Sequence, residues 1–201
     1  MTLQEFFQQH PEAAVAFSGG VDSAWLLHQA VRYARRCTAY FVNTAFQPGF
    51  ELEDAEQTAR QVGAELRVLE LDILSAPEVT ANPSDRCYHC KKRLFTALAR
   101  AAAEDGYHVL LDGTNASDDA ADRPGMRALQ ELQVLSPLRL CGVTKTQVRR
   151  SAKAAGLFVW DKPSYACLAT RIPAGEPIRA EDLQRVERGG AALMGMGFTD
   201  F

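Results

Sequence analysis

The chain has 201 residues, of which 22 are Lys or Arg and 25 are Asp or Glu, and 47% are hydrophobic. The net charge of −3 is too small for a protein that coats nucleic acid, and the apolar content excludes disorder throughout. No apolar run approaches the ~20 residues that cross a bilayer, and the N-terminus lacks the pattern of a secretory signal. We therefore expect a cytoplasmic protein whose five cysteines are thiols, metal ligands or catalytic groups rather than disulfides.

Short apolar runs alternate with helix-forming segments along the chain. An opening helix is predicted around residues 3–7, and strands are predicted at 13–17, 38–43, 65–71, 107–111 and 134–138. Helices are predicted at 22–35, 49–62, 87–103, 145–155 and 178–194, whereas residues 160–175 lack a period and predict an ordered loop. This order predicts an α/β fold, a Rossmann-like parallel sheet with helices on both faces. The Glu-rich segment 51–65 is expected to form a solvated face.

A glycine-rich turn joins the first predicted strand to the helix that follows it. It consists of Ser18, Gly19, Gly20, Val21, Asp22 and Ser23. At this position an anion meets backbone N–H groups and the positive end of the helix dipole. The two glycines allow close approach of a phosphate, the serines donate hydrogen bonds, and Asp22 either binds Mg²⁺ or orients the loop. The turn therefore predicts a phosphate-binding site.

This loop lacks the lysine of the Walker type and resembles the SGGxDS loop of the PP-loop ATP pyrophosphatases. That resemblance implies an adenine nucleotide alpha hydrolase-like fold. It also implies attack of a substrate oxygen on the α-phosphate of ATP, giving an adenylylated intermediate and pyrophosphate. The nucleophile that is added afterwards is left open by the loop.

Three cysteines are candidates for the second half of the reaction. Cys87 and Cys90 are spaced i, i+3, and Cys167 lies in the loop beside Lys162 and Arg171. Two thiols are too few for a structural zinc site, but three could hold a 4Fe–4S cluster and leave one iron open. The remaining cysteines are expected to be structural; they are Cys37 and Cys141.

Six further blocks of sequence fall in one order along the chain. They are residues 82–91 (NPSDRCYHCK), 112–118 (DGTNASD), 123–125 (RPG), 136–138 (SPL), 144–145 (TK) and 162–173 (KPSYACLATRIP). Together with the glycine-rich loop they resemble the LarE family, the ATP-dependent sulfurtransferases that help to build the nickel-pincer cofactor. The likeness covers about residues 12–200.

The LarE resemblance implies a small-molecule nucleotide substrate, pyridinium-3,5-biscarboxylic acid mononucleotide, and no nucleic-acid or membrane partner. ATP with Mg²⁺ would adenylylate a carboxylate, and Cys167 would deliver sulfur to give a thiocarboxylate. The sulfur comes either from sacrifice of Cys167, which leaves dehydroalanine, or from a 4Fe–4S cluster on Cys87, Cys90 and Cys167. The presence of all three thiols favours the cluster. The resemblance also implies a homo-oligomer.

Cations and polar turns complete the predicted site. Arg171, Arg123 and Lys91 are candidates to bind the carboxylates and phosphate of the substrate. Gly113 and Thr114 follow the fourth predicted strand, at the edge where open α/β sheets bind ligands, and Asn43 is expected to border the adenine.

Residues 1–171 are predicted to form the PP-loop domain, and residues 172–201 the incomplete beginning of a small C-terminal α/β region. Three alternative functions remain open. The first is a tRNA thiolase, which the acidic net charge disfavours. The second is an ammonia-using amide synthetase, in which the cysteines have no task. The third is a non-catalytic module that binds a nucleotide or an Fe–S cluster.

Overall fold

A computed structural model describes residues 1–118 and 124–198 of the chain. Its centre is a four-stranded parallel sheet in the order β3-β2-β1-β4. The strands are β1 (Glu12–Ala16), β2 (Arg36–Asn43), β3 (Glu65–Glu70) and β4 (Leu110–Leu111). Because all four strands run the same way, their carboxyl ends meet at one edge. The strand order reverses between β1 and β4, which is where sheets of this type bind ligands.

Helices precede and connect these strands. They are α1 (Leu3–Gln9), α2 (Val21–Tyr33), α3 (Gly49–Val62), α4 (Pro77–Thr80), α5 (Arg86–Glu104), α6 (Pro124–Glu131), α7 (Pro137–Leu140), α8 (Lys145–Ala154) and α9 (Ala180–Gly195). Thr2 and Thr144 each begin a helix with a reciprocal capping box, and Gly63 ends α3 in the left-handed conformation. Local sequence signals thus fix several of the helix boundaries.

The sheet buries both of its faces, as alternating side chains on β1 show. Ala13 and Val15 join the apolar cluster that contains α1, α2 and α8, whereas Ala14 and Ala16 join the cluster that contains α5. The predicted parallel sheet with helices on both faces is therefore confirmed. Within the described ranges, no helix is long and apolar enough to cross a membrane.

The fourth and fifth predicted strands are the main corrections. Only Leu110–Leu111 pairs with β1, because the Tyr107 N–H donates to the Ala102 carbonyl and closes the end of α5 instead. The strand predicted at 134–138 is wrong. Leu135 forms a single parallel bridge to Leu111, and Pro137 then begins α7, since proline lacks the N–H that a ladder requires. The sequence also gave no signal for α4 or α6.

The segment 160–175 is ordered, as predicted, because it is tied to the body of the protein. The Leu168 N–H donates to the Phe46 carbonyl at 2.8 Å, and the Asn82 side chain donates to the Pro173 carbonyl at 2.8 Å. Leu168 and Leu183 of α9 share one apolar cluster with Phe46. Segment 160–175 therefore occupies a fixed place beside α3 and α4. The domain boundary at residue 171 stays a prediction.

A hydrogen-bond network around Asp105, the residue that follows α5, allows a test of the fold. The hydroxyl of the buried residue Tyr40 and the Arg67 guanidinium both donate to the Asp105 carboxylate, at 2.6 Å each. These hydrogen bonds lower the pKa of Asp105, and the bond from Tyr40 has the largest effect. A carboxylate with a lowered folded-state pKa stabilises the protein above its unfolded pKa of about 3.9. That stabilisation is lost as the pH falls through the folded-state pKa.

We expect Asp105→Asn to lower the urea midpoint of unfolding at pH 7. The difference in midpoint between the variant and the unchanged protein should disappear on acidification below about pH 4. Urea unfolding at several pH values measures this. The exposed neighbour Glu104, 3.6 Å from Arg67, provides the control variant Glu104→Gln, which we expect to have a much smaller effect. A difference in urea midpoint that does not change with pH would contradict a stabilising role of the ionised Asp105 carboxylate.

Candidate active site

The glycine-rich loop forms a closed turn between β1 and α2. The Ser23 hydroxyl donates to the Gly20 carbonyl at 3.0 Å and lies 3.1 Å from the Ser18 hydroxyl. Gly19 has φ +74°, and a Cβ atom there would lie 3.1 Å from the Glu51 carbonyl oxygen on α3. Glycine is therefore required by both conformation and space. The turn places Gly20 at the N-terminal cap of α2, where the sequence predicts an anion-binding site.

Two residues from later in the chain hold Asp22, at the first turn of α2. The Asn115 amide donates to Asp22 Oδ1 at 3.3 Å, and Lys145 Nζ forms an ion pair with Asp22 Oδ2. Asn115 is buried, and Lys145 begins α8 directly after its cap, Thr144. This arrangement favours the orienting role predicted for Asp22, and its role as an Mg²⁺ ligand stays a prediction.

One cavity of about 290 Å³ lies between the glycine-rich loop and the end of β4, and we call it the strand-side cavity. Gly113 and Thr114 line it, as predicted, and Thr114 donates to Asp112. The Ser136 hydroxyl donates to the other Asp112 oxygen at 2.6 Å. The lining is completed by Ala16, Ser18, Gly20, Asp22, Ser23, Lys91, Phe95 and Asp118. The cavity therefore lies at the reversal point of the sheet.

A second cavity, of about 450 Å³, lies on the other side of the loop, and we call it the cysteine-side cavity. Cys167 and Tyr165 of the 160–175 segment line it together with Glu51 of α3. Its other lining residues are Ser18, Gly20, Val21, Asp22, Gln47, Lys91, Lys145, Lys162, Pro163 and Ser164. The two cavities share Ser18, Gly20, Asp22 and Lys91. Phosphates on the loop would therefore lie within one continuous site with the Cys167 sulfur.

A buried arginine contacts the Cys167 sulfur. Arg86, the first residue of α5, places Nη1 3.7 Å from Cys167 Sγ and its guanidinium 5.8 Å from the centre of the Phe46 ring. A guanidinium that donates to sulfur stabilises negative charge on it. The sequence predicts Lys162 and Arg171 as positive neighbours of this sulfur, and the structure adds Arg86 as a cation in contact with it.

The two other candidate ligand cysteines lie on the first turns of α5. Cys87 is exposed, and Cys90 is half-buried in the apolar cluster that also holds Cys167. Burial, followed by the Cys167 and Cys87 thiols, raises the pKa of Cys90 to about 12, although Arg86 lowers it in part. Within the described residues, no three His, Cys, Asp or Glu side chains form a ready-made metal site. Cys167 and Cys87 both lie within electrostatic reach of Cys90, and three soft thiols suit the chemistry of a 4Fe–4S cluster, which stays a prediction.

The structural cysteines behave differently. Cys37 packs against the core on β2, and burial raises the pKa of its thiol to about 12. Cys141 is half-buried beside the N-terminal segment, in a groove that it shares with Met1 and Trp25. Neither lines either cavity at the glycine-rich loop. Both positions agree with the structural role expected for these two residues.

Some predicted site residues lie apart from the two cavities. Asn43 donates to both carboxylate oxygens of Glu70, at 3.0 and 3.1 Å, and lines a separate cavity at the ends of β2 and β3. Arg171 is exposed and lowers the pKa of Tyr165, but it lines neither cavity. Arg123 lies outside the described residues. Of the predicted substrate cations, Lys91 alone lines the site in the described part of the chain.

Several residues of the site were missed by reasoning from the sequence. They include Asn115, Lys145 and Arg86, which all lie in the sequence blocks that carry the family resemblance, so a signal for them was present. Glu51 had no such signal, because it belongs to a Glu-rich helix expected to face solvent. The structure instead half-buries its side chain in the cysteine-side cavity.

The parallel sheet, the loop after β1 and the cavities on both sides of that loop define a PP-loop ATP pyrophosphatase-type fold. The U34-tRNA thiolase NcsA of Methanococcus maripaludis, solved with its [4Fe-4S] cluster, has a similar fold, with a TM-score of 0.60 at 16% identity. The match covers 96% of this chain and 78% of that one.

Comparison of sequences identifies the family within this class. The pyridinium-3,5-bisthiocarboxylic acid mononucleotide synthase of Lactiplantibacillus plantarum is 31% identical over 199 residues, 98% of this chain and 72% of that protein. An uncharacterized protein of Synechocystis is 38% identical over 200 residues, 98% of this chain and 74% of that protein. A scan against protein-family models gave no match. The chain belongs to the LarE family of sulfur-inserting synthases.

The close approach of Gly113 to α2 gives a test of the strand-side cavity. A Cβ atom on Gly113 would lie 2.8 Å from the Ser23 backbone nitrogen and 3.0 Å from its Cα. Backbone must then move, at a cost of about 1–3 kcal/mol. We expect Gly113→Ala to weaken ATP binding about tenfold, measured by calorimetry.

The matched control is Gly189→Ala in α9, where an added Cβ meets nothing within 4 Å. This variant should bind ATP like the unchanged protein. Unchanged ATP affinity in Gly113→Ala, with the variant folded by circular dichroism, would show that the contact does not shape the nucleotide site.

Proposed function

We propose that the protein is an ATP-dependent sulfurtransferase that acts on pyridinium-3,5-biscarboxylic acid mononucleotide in nickel-pincer cofactor biosynthesis. It adenylylates a carboxylate of this nucleotide and converts it to a thiocarboxylate, with release of pyrophosphate and AMP. The observation that carries this proposal is the shared cavity of Cys167 and the glycine-rich loop. A cysteine sulfur and a phosphate-binding loop in one cavity suit a reaction that activates a substrate with ATP and then adds sulfur.

In the first half-reaction, a carboxylate oxygen of the substrate attacks the α-phosphorus of ATP and pyrophosphate leaves. The N–H groups at the start of α2 bind the phosphates, as a helix N-terminus does. Lys91 and Lys145 line the same space and would neutralise the charge that develops on the leaving pyrophosphate. Asp22 holds Lys145 in place through their ion pair.

In the second half-reaction, sulfur replaces AMP on the acyl carbon. If Cys167 is the sulfur source, its sulfur attacks the acyl carbon and AMP leaves, giving an acyl thioester. Arg86 would stabilise the negative charge on this sulfur from its buried position. The Cα proton of Cys167 is then removed, the Cβ–S bond breaks, and the thiocarboxylate leaves dehydroalanine behind. A 4Fe–4S cluster, if held by Cys87, Cys90 and Cys167, would present inorganic sulfide taken up from solution as the nucleophile and spare the cysteine.

A tRNA thiolase is the second candidate, favoured by the fold shared with NcsA. The two functions are separated by pyrophosphate release with each substrate. We expect release with pyridinium-3,5-biscarboxylic acid mononucleotide and none above background with tRNA, in agreement with the net charge of −3. Release with tRNA alone would favour the thiolase.

For the sulfur step, we expect Cys167→Ala to lower thiocarboxylate formation by on the order of 10³-fold or more, while substrate-dependent pyrophosphate release persists. Product mass spectrometry and a pyrophosphate assay, both under anaerobic conditions, measure the two half-reactions. Cys141→Ala is the control, since Cys141 lies outside both cavities at the loop. Retained sulfur transfer in Cys167→Ala would exclude Cys167 as the sulfur-delivering residue.

The intact mass of the protein separates the two sulfur sources. Loss of the elements of H₂S from one cysteine after turnover indicates sacrifice of Cys167. An unchanged mass with repeated turnover indicates sulfide recycled at a cluster, and we expect this result because all three thiols are present.

A further inference from the structure

Glu51 places a carboxylate in the cysteine-side cavity, at the first turn of α3. Its backbone carbonyl packs against Gly19 of the phosphate-binding loop, and its side chain lines the cavity with Tyr165, Lys162 and Cys167. The reaction steps proposed above assign no task to Glu51. The side chain nevertheless lines the same cavity as the glycine-rich loop and Cys167.

Within residues 1–118 and 124–198, the Glu51 carboxylate accepts no hydrogen bond and forms no ion pair. Lys162 lies within electrostatic reach of Glu51, but its Nζ pairs with Asp54 Oδ2 at 2.5 Å. Burial raises the pKa of Glu51 to about 7, with Asp54 raising it and Lys162 lowering it. A half-buried carboxylate without a partner is costly, so a cation bound beside it would be stabilised.

Tyr165 supplies an aromatic ring to the same cavity. The ring is half-buried and fixed by an edge-to-face contact with Phe50, at 5.3 Å between centroids and 88° between planes. Glu51 contributes to a raised pKa of Tyr165, after burial as the main cause, so the two groups lie within electrostatic reach. An aromatic ring together with a carboxylate is a combination that binds organic cations.

The other charged residues of the cavity suit the anionic groups of a ligand. Lys91, Lys145 and Lys162 line it, and Asp22 and Asp54 each hold one of these lysines. Lysines suit the phosphate and carboxylates of a nucleotide, whereas Glu51 with Tyr165 suits a positive ring. A pyridinium nucleotide carries both kinds of charge.

We infer that Glu51, together with the ring of Tyr165, recognises the positive charge of an N-ribosylpyridinium ring. The cavity thereby selects a cationic pyridinium nucleotide over a neutral ring of the same shape. This inference rests on the proposed function and adds to it the residues that read the ring charge. A neutral uridine ring in RNA would gain nothing from Glu51.

The test compares two ligands that differ in ring charge: pyridinium-3,5-biscarboxylic acid mononucleotide and its neutral 1,4-dihydro form. At pH 8 we expect the 201-residue chain to bind the cationic form about tenfold more tightly, measured by calorimetry without ATP. Glu51→Gln should reduce this preference to about twofold or less and leave binding of the dihydro form unchanged. Tyr165→Leu should reduce the preference about threefold, and Tyr165→Phe should retain it.

The affinity for the cationic form should depend on pH in one direction. Glu51 is ionised above about pH 7 and neutral below it, so affinity for the cationic form should fall as the pH is lowered from 8 to 6. In Glu51→Gln this fall should be largely lost. The groups that face Glu51, namely Lys162, Asp54 and Tyr165, remain in that variant and serve as an internal control.

Glu53→Gln is the matched control, because Glu53 is exposed on the same helix and should leave the preference at about tenfold. A preference that persists in Glu51→Gln, or equal binding of the two forms by the unchanged protein, would overturn the inference and leave the proposed function standing. Failure to bind either form, with thiolation of tRNA in its place, would overturn both.

Discussion

The parallel pairing of β1 with β2 on one side and β4 on the other brings three strand ends to one edge of the sheet. The turn after β1 and the turn after β4 then meet. Gly113 approaches the Ser23 backbone so closely that no side chain fits between them. This contact fixes the backbone of Asp22 and Ser23 at the start of α2, where a phosphate-binding site is predicted.

Residues far apart in the sequence complete the electrostatics of this edge. Asp22 is held by Asn115 and Lys145, and Asp54 is held by Lys162. Each ion pair places a lysine at a cavity wall without leaving an uncompensated buried charge. Glu51 differs from Asp22 and Asp54, since its carboxylate has no hydrogen-bond or ion-pair partner in the described part of the protein. Its carboxylate thereby becomes the feature of the site best suited to a positive ligand group.

The cysteines divide by environment as well as by position. Cys37 and Cys141 lie away from the loop, whereas Cys90 and Cys167 share one apolar cluster near the buried Arg86. Arg86 contacts a sulfur and an aromatic ring together, so it supports both the fold and the charge of a thiolate. The proposed sulfur delivery by Cys167, from its own side chain or with a cluster, would take place in these surroundings.

The sequence by itself determined the parallel α/β fold, the glycine-rich turn between β1 and α2, the ordered state of segment 160–175, and the family. These follow from local signals: apolar period, glycine pairs, helix caps and contiguous blocks. It misplaced the strand at 134–138, because a proline excluded a ladder that the apolar pattern favoured. Only the tertiary structure decided that Lys145 meets Asp22, that Arg86 contacts Cys167 and that Glu51 enters the cavity. These pairings depend on which strand ends become neighbours, and one-dimensional patterns carry no information on distances between distant segments.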